Sequence, residues 1–167
     1  MEPRVGFGYD LHRLAAGRRL VLGGLEIPYA KGLAGHSDGD CLIHAIIDAL
    51  LGALGQGDIG QLFPDKDPKY KNVSSLRLLR EVVAKVRALG FEISNLDSVV
   101  VAERPRLQPY FPEMKRILGR VLGLKSGELS LKAKTNEGVG PVGKGQALAC
   151  WVVVAVGKKA KAGRKKA

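Results

Sequence analysis

Apolar residues alternate with small or polar ones over residues 4–9, where Val5, Phe7 and Tyr9 recur with the two-residue period of a strand. Residues 19–22 and 25–28 flank Gly23-Gly24. A Gly-Gly pair accepts the positive φ of a tight turn, so this stretch reads as a β-hairpin. Over residues 40–54 the period lengthens: Leu42, Ile43, Ile46, Ile47, Leu50, Leu51 and Leu54 predict a helix buried along one side, capped by Ser37 or Asp38. Residues 55–72, rich in Gly, Asp, Pro and Lys, read as a long irregular loop of the kind that is usually functional or mobile. Ser74 is expected to cap a second helix running through Leu89 and ended by Gly90.

A strand is expected around Val99, Val100 and Val101. A third helix, opened by Pro109 or Pro112, should end near Gly123. Residues 129–134 alternate as a strand, 135–145 form a glycine-rich loop, and 147–156 read as a buried strand. The order strand, hairpin, helix, helix, strand, helix, strand, strand contains no internal repeat. It implies one sheet with helices packed against it, an α/β or α+β fold.

Length adds that the 167 residues form one domain able to bury a core without disulfides. Cys41 and Cys150 make no disulfide framework; Cys150 sits in an apolar run, and both read as core thiols of a reducing cytoplasm, although Cys41 stands three residues before His44. The first residues lack the apolar stretch of a secretory signal. The longest apolar run is far short of the roughly 20 residues of a membrane-spanning helix, so no membrane partner is expected. Net charge is +11, but six of those charges fall in residues 158–167, a Lys/Ala/Gly segment expected to be a disordered tail after a domain of residues 1–157. No aromatic stacking platform accompanies the basic residues, so nucleic acid is not expected as a partner. Anionic small molecules suit the charge as well.

The chain has three histidines, His12, His36 and His44, all within its first 44 residues and each close to an aspartate. Imidazole and carboxylate form a nitrogen/oxygen ligand set for zinc, and a catalytic zinc takes three protein ligands with one open position. Asp10, His12 and His44 supply three, because residues 10 and 12 point the same way from a strand end. Asp48, one turn after His44, is expected to orient it from outside. His36 and Ser37 are then free to donate to a phosphate or to shape the pocket, while Asp38 and Asp40 are expected to complement the helix dipole.

Two other motifs fail. Gly35-His36-Ser37-Asp38-Gly39 fits a hydrolase nucleophile elbow, but no histidine base follows late in the chain. Residues 138–144 fit the glycine and lysine spacing of a P-loop, yet Gly145 offers no hydroxyl and a strand follows.

Several stretches together resemble a known family: Gly8-Tyr9-Asp10-Leu11-His12; Gly23-Gly24 with Ile27-Pro28-Tyr29; Gly35-His36-Ser37-Asp38-Gly39-Asp40; His44-Ala45 with Asp48-Ala49-Leu50-Leu51-Gly52; Gly57-Asp58-Ile59-Gly60-Gln61-Leu62-Phe63-Pro64-Asp65; and Lys134-Thr135-Asn136-Glu137. In this combination and order they are similar to the 2-C-methyl-D-erythritol 2,4-cyclodiphosphate synthases of mevalonate-independent isoprenoid biosynthesis. The likeness runs from about Val5 to Val156.

The resemblance implies that 4-diphosphocytidyl-2-C-methyl-D-erythritol 2-phosphate is cyclised with release of CMP. Asp10, His12 and His44 would hold zinc or another divalent transition metal, and Glu137 a magnesium or manganese ion. His36 and Thr135 match positions that stabilise the transition state, with Ser37 beside His36. Asp58, Ile59 and Gly60 match a ribose-contacting turn, and Phe63, Pro64 and Asp65 a flexible loop over the methylerythritol part. Ala102, Glu103, Arg104, Pro105, Arg106, Leu107 and Gln108 match the cytidine-binding segment. Lys134, Asn136 and Lys144 complete the expected substrate contacts. Lys134, Arg106, Lys144 and Gln146 differ from the residues most frequent there. The implied assembly is a homotrimer of mixed sheets around a central axis, with helices on one sheet face and active sites between subunits. A zinc-dependent phosphohydrolase and a non-catalytic trimeric binding module with a basic tail are the competing readings.

Overall fold

The computed structural model describes residues 3–64, 66–70 and 72–158. Five strands form one sheet: β1 (Arg4–Ala16), β4 (Lys31–Leu33), β5 (Phe91–Val101), β6 (Leu129–Lys134) and β7 (Ala147–Lys158), in the order β4-β1-β7-β5-β6. Only the β5–β6 pair is parallel, so the sheet is mixed. A separate hairpin pairs β2 (Leu20–Leu22) with β3 (Leu25–Ile27) through Gly23 and Gly24, both at positive φ as the turn requires. Helices α1 (Cys41–Ala53), α3 (Ser75–Ala88) and α4 (Phe111–Leu122) cover one face of the sheet, with two single-turn helices, α2 (Ile59–Leu62) and α5 (Gly140–Gly143), in the loops. This is the α+β architecture expected, with helices on one face and a small hairpin beside them.

The registration of β1 under α1 decides the rest. Gly6, Gly8, Asp10, His12 and Leu14 point toward α1, while Val5, Phe7, Tyr9 and Leu11 point to the opposite face and are exposed. A Cβ on Gly8 would lie 1.9 Å from the carbonyl oxygen of Ala45, and one on Gly6 would lie 1.8 Å from that of Ala49. The helix therefore rests directly on strand backbone. Leu42, Ile46, Ile47 and Leu50 of α1 are fully buried, as are Val152, Val154 and Val156 on the neighbouring strand β7. Amphipathic α3 and α4 extend this core through Leu79, Val82, Val83, Met114 and Leu118.

Several boundaries differ from the sequence expectation. β1 is longer than predicted, so Asp10 and His12 lie in mid-strand, and β4 was missed. The 55–72 stretch contains α2 and a single 3-10 turn at Pro68–Tyr70, and the glycine-rich 135–145 stretch contains α5. Lys158, expected to open the tail, is the last residue of β7 and pairs with Phe91. Residues 159–167 lie outside the described residues. The cap of α1 is Asp40, whose carboxylate accepts from the amides of Ile43, Gly23 and Gly24 at 3.0, 2.9 and 2.7 Å. That buried side chain thus ties helix to hairpin. Ser74 makes no side-chain cap to α3; Asp38 instead accepts from Ser75 N at 2.9 Å.

Gly8→Ala should lift α1 off the strand, because the added carbon meets a backbone oxygen that no rotamer change can move. Overpacking ordinarily costs about 1–3 kcal/mol, and this contact should reach or exceed the upper end. Urea unfolding of the variant against the parent chain measures it.

Candidate active site

Three side chains from two elements converge where β1 passes beneath the first turn of α1. Asp10 Oδ2 lies 2.8 Å from His12 Nε2 and 3.1 Å from His44 Nδ1, and the two ring nitrogens are 3.1 Å apart. The strand period brings Asp10 and His12 to one side, and the Gly8–Ala45 contact sets the height at which His44 meets them. The trio is mostly buried, His44 most of all with 12% of its side chain exposed. Burial opposes charge on Asp10, yet hydrogen bonds from His12 and His44 overcome it and hold the carboxyl well below the usual carboxylate range. Burial likewise disfavours the charged form of His12, but the Asp10 carboxylate outweighs it and raises that imidazole above its ordinary value. A pocket that favours positive charge in this way suits a cation, with protons as its competitor.

The donor set fits a divalent metal. Two imidazole nitrogens and one carboxylate oxygen, all within 4.8 Å of one another, form the one such cluster of histidine, cysteine or acidic groups among the described residues. Each ring's far nitrogen is also engaged: His12 Nδ1 bonds to the Ala34 carbonyl, and His44 Nε2 lies 3.0 Å from Ser37 Oγ and 2.9 Å from Ser75 Oγ. Partners of this kind orient metal-binding histidines. Asp48 is not one of them. Its carboxylate accepts from the amide of Ile59 at 2.8 Å, so it anchors the 55–63 loop rather than His44. Helical spacing allowed the predicted contact, but an unsatisfied amide at the start of α2 takes the oxygen. Burial pushes the Asp48 carboxyl above its ordinary value, and the Ile59 amide only partly opposes this. Cys41 belongs to the core, as expected, with its thiol against the carbonyl of Asp10.

The trio opens into a cavity of about 380 Å³ that is also lined by Gly35, His36, Ser37, Ile59, Gly60, Phe63 and Tyr70. His36 is exposed, and its loop is pinned by the Asn72 amide donating to its carbonyl at 2.9 Å. Asp58 caps α2 by accepting from Gln61 N at 2.8 Å, just outside the lining. Pro64 is exposed beyond the rim, and Asp65 lies outside the described residues.

A second cleft, about 730 Å³, is lined by Ala102, Glu103, Arg104, Pro105, Arg106, Leu107 and Gln108, with Lys134 and Thr135 opposite. Backbone pairing closes it: Ala102 N donates to Lys134 O at 2.9 Å, and Glu103 Oε1 accepts from Asn136 N at 2.8 Å and Gly138 N at 3.3 Å. Thr135 Oγ1 donates to Glu137 Oε1 at 2.8 Å, placing the Glu137 carboxylate at the exposed lip. Lys144 caps α5 and lines neither cleft. The two cavities share no lining residue.

Sequence reasoning missed Ser75. It stands beside Ser74, which holds the N-cap position of α3 as expected but makes no side-chain capping bond, and nothing in local spacing signals the contact of Ser75 with His44.

Fold and site together define an α+β protein whose Asp10, His12 and His44 could hold a metal ion at the mouth of a cleft. The chain belongs to the YgbB family, which it matches over residues 3–157. It is 59% identical over 153 residues to the 2-C-methyl-D-erythritol 2,4-cyclodiphosphate synthase of Gloeobacter violaceus, covering 92% of this chain and 94% of that one. Among solved structures it resembles the CDP complex of IspF from Plasmodium falciparum (TM-score 0.83, 32% identity), covering 95% of this chain and 97% of that one. It also resembles the bifunctional IspDF of Campylobacter jejuni (TM-score 0.91, 39% identity), covering 95% of this chain but 43% of the longer partner. Among the described residues no helix is long and apolar enough to cross a membrane.

Asp48→Ala should loosen the 55–63 loop and leave the metal trio intact. Amide exchange at Ile59 should accelerate about tenfold or more, since a hydrogen bond to a charged group contributes roughly 1.5–3 kcal/mol. Zinc affinity, measured by chelator competition, should stay unchanged.

Proposed function

We infer that this chain cyclises 4-diphosphocytidyl-2-C-methyl-D-erythritol 2-phosphate, releasing CMP, to the 2-C-methyl-D-erythritol 2,4-cyclodiphosphate for which its synthase relatives are named. The observation that carries the reading is the convergence of Asp10, His12 and His44 on one cavity. In the reaction an oxygen of the substrate's 2-phosphate attacks the β-phosphorus, and the bond from that phosphorus to the oxygen retained by CMP breaks. Nucleophile and electrophile share one molecule, so the protein's task is to fold the substrate into line and to stabilise charge.

The residues divide that task. Asp10, His12 and His44 would hold zinc, or another divalent transition metal of similar preference, and Glu137 would hold magnesium or manganese together with substrate phosphate oxygens. Bound there, the two cations supply Lewis-acid neutralisation for phosphates that otherwise repel as they close. His36 and Thr135 stabilise the charge that develops on the phosphate oxygens, with Ser37 beside His36. The segment of residues 102–108 receives the cytidine, with Lys134, Asn136 and Lys144 adding polar contacts around the diphosphate. Asp58, Ile59 and Gly60 contact the ribose. Phe63, Pro64 and Asp65 cover the methylerythritol part and exclude water that would hydrolyse the diphosphate. The free thiols Cys41 and Cys150 agree with a cytoplasmic setting.

The assembly we propose is a homotrimer. The sheet face opposite the helices exposes Val5, Phe7, Tyr9, Leu11, Trp151 and Val153, with Val5 at 66% and Phe7 at 61%. A contiguous apolar face of this kind marks an interaction surface. Two clefts without a shared lining residue are also what a site completed by a neighbouring subunit requires.

His44→Ala should leave the fold intact, remove zinc and lower cyclisation roughly a thousandfold, the scale of several kcal/mol of lost charge stabilisation. Metal analysis and ³¹P NMR of the products measure both. Normal turnover by the zinc-free variant would refute the role, and free phosphate in place of a cyclic product would mean a phosphohydrolase.

Phe7→Glu should yield monomers by light scattering that still bind zinc but no longer cyclise. An active monomer would remove the trimer from the reading.

A further inference from the structure

Ser75 is fully buried at the first turn of α3, and each hydrogen in its surroundings has a definite place. Its amide donates to Asp38 Oδ2 at 2.9 Å, and its hydroxyl donates to Asp38 Oδ1, because a carboxylate only accepts. That uses the hydroxyl's one hydrogen. Toward His44 Nε2, 2.9 Å away, Ser75 Oγ can therefore only accept. Ser37 Oγ lies 3.0 Å from the same nitrogen, accepts from Gly39 N at 3.2 Å, and has its own hydrogen free for Ser75 Oγ at 3.3 Å. On this side the inventory closes with a proton on His44 Nε2, which leaves His44 Nδ1, Asp10 Oδ2 and His12 Nε2 to share a cation or, without one, a proton.

We propose that Asp38 and Ser75 are positioning residues that fix the tautomer and ring orientation of His44, and so aim its lone pair at the metal position. Asp38 also satisfies the first amide of α3, but the link from the Ser75 hydroxyl to His44 goes beyond what a helix start needs. Asp38 precedes α1 and Ser75 opens α3, and their contact is long-range. His12 achieves the same end through a backbone acceptor, the Ala34 carbonyl, whereas the His44 ring meets the side-chain hydroxyls of Ser37 and Ser75. The carboxylate–hydroxyl–imidazole chain is thus the outer half of the trio.

The inference rests on the metal reading of the site, and the tests separate the two. In zinc-loaded protein, long-range ¹H–¹⁵N correlation should show the His44 proton on Nε2, exchanging slowly with solvent. Ser75→Ala should speed that exchange and weaken zinc binding about 10- to 100-fold in chelator competition. Ser75→Thr, which keeps the hydroxyl, should restore most of that affinity. A zinc-loaded parent chain with the His44 proton on Nδ1, or a folded Ser75→Ala that binds zinc as the parent does, would overturn the proposal. The tautomer of the parent chain needs no variant, so it decides the matter even if Ser75→Ala fails to fold. A parent chain that binds zinc in the assigned geometry but forms no cyclic product would defeat the proposed activity and leave this inference standing.

Discussion

The contact between α1 and the bare backbone of β1 is the constraint on which the site depends. Two glycines at alternate strand positions let the helix approach to a distance that any Cβ would forbid. The next two residues of the same strand parity are Asp10 and His12, so the surface that accepts the helix continues directly into the surface that presents ligands. His44, one residue before the Ala45 carbonyl that sits on Gly8, is thereby delivered to the height of Asp10. Packing and chemistry share one register. A helix held a side-chain radius further out would leave the imidazole short of the carboxylate.

That arrangement explains both what the sequence disclosed and what it withheld. The long apolar period of α1 was legible to within a residue or two, because ten of its residues are buried and their spacing is helical. The chemistry of the trio was legible because metal ligation requires particular residue types. The role of the alternation in β1 was harder to read. Its bulky residues Val5, Phe7 and Tyr9 face away from the helices, while the core side is made of glycine, aspartate and histidine. Apolar pattern alone therefore marks the face left to a partner. Strand length was underestimated for the same reason, since polar ligands interrupt the pattern.

Contacts decided by competition among several acceptors were not legible. Ser37, Asp38 and Asp40 precede one helix, Ser74 and Ser75 open another, and every one of them is a chemically plausible cap. Tertiary structure resolved the choice: Asp40 reaches the hairpin amides, Asp38 crosses to Ser75, and Ser37 turns to His44. Asp48 followed the same logic. It is one helical turn from His44, yet the amide of Ile59 presents an unpaired donor at closer reach, and a buried donor left unsatisfied costs more than an alternative acceptor gains. Local spacing states which contacts are possible; the unsatisfied backbone groups nearby decide which are made.

The two sheet faces then carry different halves of the function. The helix side holds the cation trio within a small cavity whose walls come from α1, α2 and the 35–37 loop. The larger cleft lies at the far edge of the sheet, between the segment after β5 and the end of β6, with Glu137 and Thr135 at its lip. Among the described residues no lining residue is common to the two cavities. The apolar face of β1 and β7, where Tyr9 stacks on Trp151 at 5.1 Å, supplies a surface on which copies of the chain can associate. Under the proposed assembly, association through this face would bring the larger cleft of one subunit to the Asp10, His12 and His44 trio of another.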